Sequence, residues 1–143
     1  MVIKLLPSQI PRFWEAIKYA SVSAEDVKEE DRREYLNELL HSLLNDKSQC
    51  FVSLDDERNL LGVAITQLIA DKTTGEKNLF LKALYSWKHA DVEEWKDRFN
   101  LVKDFAKSEG CKHIYFESRN PRIWQVGEAV GFKEHFRTFR MEV

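Results

Sequence analysis

The chain has 143 residues, 43% of them hydrophobic and 12% aromatic, the length and apolar content of one globular domain. Its 22 basic and 24 acidic residues nearly cancel, and a formal net charge of -2 provides no field to draw in nucleic acid or an anionic membrane. Cys50 and Cys111 carry no CxxC or Cys/His signature and read as small hydrophobes beside strand-like runs; with no leader-like or membrane-spanning apolar stretch, the expected compartment is the reducing cytoplasm.

In chain order, the apolar run Val2 to Leu6 ends at Pro7 and reads as a first strand. Ser8 is placed to cap a helix with Pro11 in its first turn and Ile10, Phe13, Ile17 and Ala20 at helical spacing. Ser21 to Asp31 is acidic and polar, a loop or exposed helical turn. From Arg32 to Asn45 the pairs Tyr35/Leu36, Leu39/Leu40 and Leu43/Leu44 recur every four residues, giving a second helix with a broad apolar stripe. Cys50 to Leu54 and Leu60 to Ala70 form a hairpin about the polar turn Asp55 to Asn59. Leu79 to Tyr85 is a third adjacent strand whose apolar run predicts burial on both faces.

Asp91 then caps a long helix, with Glu94 three places on as in a capping box and Val92, Trp95, Phe99, Val102 and Ala106 along one side until Gly110. His113 to Glu117 is another strand, Pro121 to Val130 a short helix, and Phe136 to Val143 a last strand. The order is β-α-α-β-β-β-α-β-α-β, with Leu79–Tyr85 and His113–Glu117 expected as parallel neighbours. Leu36, Leu40, Phe99, Val102 and Ile114 are the expected core positions. His41, His89, His113 and His135 show no ligand spacing, so no metal is expected.

That order, with "NPRIWQVGEAVGF" (Asn120 to Phe132) after a strand, resembles the GCN5-related N-acetyltransferase (GNAT) superfamily over nearly the whole chain. The resemblance implies an α/β (α+β) fold with a mixed, mostly antiparallel sheet flanked by helices, the whole chain forming one such domain. It also implies acetyl-CoA as the cofactor, its pantetheine on the exposed edge of the fourth strand and its pyrophosphate on a glycine-bearing loop at the next helix. Here that segment is "LYSWKHADVEEW", which has no glycine and opens its helix with Asp91, Glu93 and Glu94. Glycines would let backbone amides approach a phosphate, whereas these carboxylates favour the helix and compete for the same field.

The resemblance assigns Leu84, Tyr85, Ser86, Trp87, Lys88, His89 and Asn120 as candidate cofactor-binding residues, and Glu117, Tyr85 and Tyr115 as candidate catalytic residues. The family's tyrosine acid falls at Gly127, which cannot be an acid and implies close backbone approach or a lost constraint. Two readings follow. One is a degenerate acetyltransferase-like scaffold that binds a protein partner, as encoded by some tailed bacteriophages, with a virion or infected host cell as the alternative location. The other is a divergent active enzyme moving an acetyl group from acetyl-CoA to a small amine or a protein amine.

Overall fold

In the computed structural model, which describes residues 1–143, five strands pair in chain order. They are β1 (Val2–Lys4), β2 (Ser48–Leu54), β3 (Leu60–Ala70), β4 (Lys77–Ser86) and β5 (Ile114–Phe116). The first four are antiparallel neighbours, and β5 joins β4 in parallel. A parallel join needs a crossover, and it is made by α3 (Val92–Ser108). The other helices are α1 (Ile10–Glu25), α2 (Arg32–Leu44) and α4 (Pro121–Val130).

Local chemistry explains these limits. The β2–β3 turn is held by Asp55 Oδ1, which accepts the amides of Glu57 at 2.9 Å and Asn59 at 2.7 Å. Asp91 and Asn120 cap α3 and α4 through their side chains, and Gly131 ends α4 with φ 114°, a conformation that favours glycine.

The two faces of the sheet are unequally covered. On one, Ile17 of α1 and Leu39 and Leu43 of α2 pack on Cys50, Val52 and Ile65 in a cluster of 12 buried residues. On the other, Val102 and Ala106 of α3 meet Phe51 and Leu79 in a cluster of only 4. A β-bulge lets β4 serve both. Ile65 pairs with Ala83 and Thr66 with Leu81, so Lys82 is the extra residue. Before it Leu79 faces α3; after it Ala83 and Tyr85 face α1 and α2.

Several expectations need correction. No strand forms at Phe136 to Val143: the segment makes no backbone hydrogen bond, and Phe139 and Met141 are exposed. The sheet edge that could receive it, β5, offers only three residues. Ser8 does not cap α1; a 3-10 turn, Pro7–Gln9, precedes the helix, and Gln9 Oε1 accepts the Leu6 amide at 2.7 Å. Ser21 to Glu25 belongs to α1, because Ser21 follows Ile17 by four residues and shares its buried face. Of the expected core positions Val102 is buried, whereas Leu36, Leu40, Phe99 and Ile114 are half-buried, the last two because the α3 face is thinly covered. The apolar run of β4 is buried against both layers as expected, with Leu79 in one cluster and Ala83 in the other.

Candidate functional site

The parallel pairing of β4 with β5 spans only Leu79↔Ile114 to Leu81↔Phe116. Beyond it β4 continues to Ser86 while β5 ends at Phe116, so the strands part and an edge of β4 is left open. A cavity of about 110 Å³ lies behind the opening, walled by Leu84 and Tyr85 of β4, Trp95, Arg98 and Phe99 of α3, and Glu117. Gly127 of α4 and Phe116 of β5 close its far side.

Three candidates from the sequence therefore meet in one place: Leu84, Tyr85 and Glu117. The Tyr85 ring stands edge-on to Tyr19 and Trp87, at 5.6 and 4.9 Å between centroids. Contact with the Tyr19 hydroxyl, then partial burial, pushes the Tyr85 phenol above the ordinary tyrosine range.

The remaining candidates lie elsewhere or do structural work. Tyr115 does not line the cavity; its ring sits between His113 and His135, 5.9 and 5.5 Å away. Neighbouring positions on a strand face opposite ways, so Phe116 takes the cavity side. Asn120 Oδ1 accepts the Arg122 amide at 3.0 Å and is used up as the cap of α4. Trp87 stacks on Tyr19 at 6.2 Å, and its amide bonds the Leu61 carbonyl at 2.8 Å, extending the hairpin. Ser86 Oγ donates to the Lys88 carbonyl at 2.6 Å and fixes the bend out of β4. Lys88 and His89 are exposed. The Lys88 charge reaches Asp55, whose carboxyl is held low chiefly by the Asn59 amide.

At the start of α3, Asp91 Oδ1 accepts the Glu94 amide at 2.8 Å. A carboxylate therefore already occupies the anion position at this helix end, with Glu93 and Glu94 in the same turn. No residue from Trp87 to Ala90 has positive φ, so the connection does not form a glycine-like nest of amides.

Gly127 has a specific cause. A Cβ there would lie 2.5 Å from Phe116 Cζ and 2.7 Å from Cε1. Phe116 in turn packs edge-on to Phe132, 4.8 Å away. The volume a side chain at 127 would enter is filled by an aromatic ring.

Two polar residues of the site were not anticipated. Arg98 shares the α3 face that carries Trp95, Phe99 and Val102, a pattern judged by its apolar members alone. Lys82 is the bulge residue; its Nζ lies 3.7 Å from Glu25 Oε2 and 5.3 Å from the Tyr35 ring centroid. Tyr35 also donates to Glu25, and burial together with that carboxylate pushes the phenol up. No local sequence signal marks a bulge in a run of apolar residues.

No protein-family model matches the chain, and no curated protein does. Solved structures do. A probable acetyltransferase superposes with a TM-score of 0.77 at 14% identity, covering 100% of this chain and 97% of the other. The ribosomal-protein-alanine N-acetyltransferase from Brucella melitensis biovar Abortus 2308 gives 0.69 at 15% identity, covering 100% and 99%. An aminoglycoside acetyltransferase, AAC(6')-Iy, solved with a bisubstrate analogue of CoA, gives 0.71 at 16% identity, covering 100% and 97%. The fold is that of the GNAT superfamily.

Proposed function

We propose that this GNAT-fold chain is a binding domain that no longer uses acetyl-CoA and serves a protein partner. The observation that carries the reading is the Asp91 carboxylate on the Glu94 amide at the start of α3. A pyrophosphate placed there would meet three carboxylates within one helical turn and would have to displace the cap. Two further features agree. Phe116 fills the space beside Gly127, where the family resemblance would put a tyrosine acid. The cavity behind the open edge of β4 is small, about 110 Å³.

A second reading has its own support in the free edge of β4, with Tyr85 and Glu117 lining one cleft. In it the chain is an N-acetyltransferase acting on a small or protein amine. Glu117 would take a proton from the amine through water, the amine nitrogen would attack the acetyl carbonyl, and the departing thiolate would take a proton from Tyr85. A gene neighbourhood of virion or assembly functions suits the first reading, and one of metabolic or modifying enzymes the second.

Thermal denaturation with acetyl-CoA separates them. A ligand at a hundredfold over its Kd stabilises the fold by about 2.7 kcal/mol, or roughly 5 to 12 °C in Tm for a domain of this size. The binding-domain reading expects no shift at millimolar acetyl-CoA. A rise of that size, abolished by Lys88→Glu, would overturn the binding-domain reading and make the chain a candidate for an active enzyme.

A further inference from the structure

The cavity holds a cation whose hydrogen-bonding capacity the fold leaves largely unspent. The Arg98 side chain is only 15% exposed, yet its polar contacts are long: Nη2 to Glu94 Oε2 at 3.7 Å and Nη1 to Ser86 Oγ at 3.4 Å. Its guanidinium carbon lies 5.4 Å from the Trp95 ring centroid. A guanidinium has five N–H donors in a planar fork, and a buried one ordinarily meets a carboxylate or phosphate in bidentate fashion. Glu94 does not fill that role, being half-exposed and beyond hydrogen-bond distance.

The other charged groups at the cavity are differently placed. Lys82 is answered by Glu25 and by the face of Tyr35, on the α1 and α2 side of the sheet. Glu117 stands at the exposed mouth. The rest of the wall beside Arg98 is mainly hydrocarbon and aromatic, including Trp95, Phe99, Val102 and Leu84.

Size and charge together define a ligand. An apolar cavity of about 150 Å³ accepts benzene, so the observed 110 Å³ suits a hydrocarbon body of about four or five carbons, the latter being the body of hexanoate. We infer that the cavity is a site for a short apolar monocarboxylate, its hydrocarbon body inside and its carboxylate paired with Arg98. The inference rests on the binding-domain reading above, because acetyl-CoA would occupy the same opening.

The test is calorimetric titration of the full chain at low salt with hexanoate, hexanamide and hexylamine. These share one body and differ in the head group. Saturable binding of hexanoate is expected, with the amide at least about tenfold weaker because it forfeits the charge-assisted pair. Arg98→Met should erase the preference for the acid, and Ala64→Phe, which puts a ring into the cavity, should abolish binding of all three. Should either variant fail to fold, the comparison of acid with amide on the unaltered protein decides. Equal binding of acid and amide, tighter binding of the amine, or no saturable binding of hexanoate at millimolar concentration overturns the inference. Failure with hexanoate while acetyl-CoA leaves Tm unchanged removes this inference alone; a Tm rise with acetyl-CoA removes the parent reading.

Discussion

At Gly127 two effects of a substitution oppose each other. Alanine would strengthen α4 by about 0.8–1 kcal/mol of helix propensity. Its Cβ would also need the Phe116 ring, 2.5 Å away at Cζ, to move by about an ångström against Phe132, an overpacking cost of about 1–3 kcal/mol. Gly127→Ala should therefore cost about 1 kcal/mol in urea denaturation. In a Phe116→Leu background the same change should become stabilising, and a cycle without that reversal of sign would dismiss the ring as the cause. The sequence suggested close approach at 127 because a glycine inside a helix needs a reason, but the approaching ring comes from another element and leaves no local trace. Cys50 shows the converse, a residue whose role follows from its type. Burial pushes its thiol from 9.0 up to about 12. The folded state therefore holds this proton more tightly than the unfolded chain does, and stability is complete below about pH 8.5 and falls as pH rises toward 12. Tyr35 and Tyr85, also raised, act in the same direction. Between pH 8 and 10 the Cys50→Ala protein should lose on the order of 1 kcal/mol less than the unaltered one.

Among the elements, α3 and α4 were legible to within a residue because each carries its own start and stop signals: Asp91 before one, Asn120 and Gly131 around the other. Elements defined by pairing were harder. The bulge at Lys82 depends on β3 opposite it, and Phe136 to Val143 has strand-like composition but no pairing partner. The same distinction bears on the site. Leu84, Tyr85 and Glu117 could be placed at the opening once the order of elements was known, whereas Arg98 could not, since its importance lies in what the cavity lacks around it. The cap itself gives a direct test. Asp91→Ala should destabilise α3 by about 1 to 2 kcal/mol, combining the lost bond to the Glu94 amide with the lost charge near the helix dipole. Asp91→Asn keeps the hydrogen bond and should lose only a few tenths to about 1 kcal/mol. Equal losses in chemical denaturation of the two variants would mean that charge, not capping, holds the helix end.

For the whole molecule, the unequal layers on the two faces of the sheet determine where it should open first. All seven residues of β2 are buried, and the α1 and α2 face carries a cluster of 12. The opposite face carries 4, α3 buries only Val102 and Ala106, and α4 buries only Gly127. Most of the α3 and α4 residues of the cavity wall lie on this thinner side, although the cavity also reaches Ala24 of α1 past the end of β4, so separating the two helices from the sheet exposes less apolar surface and breaks fewer dispersion contacts. The helices are bonded internally and can leave the sheet without breaking its ladder, whereas β2 and β3 are each paired on both sides. Native-state hydrogen exchange should therefore show α4 and the first half of α3 opening at a free energy at least about 1–2 kcal/mol below that of β2 and β3. Equal opening energies for all four would mean that the thin layer is coupled to the thick one as a single cooperative unit, with Leu81 and Tyr85 of β4, which share the cavity wall with α3, as the places to look for that coupling.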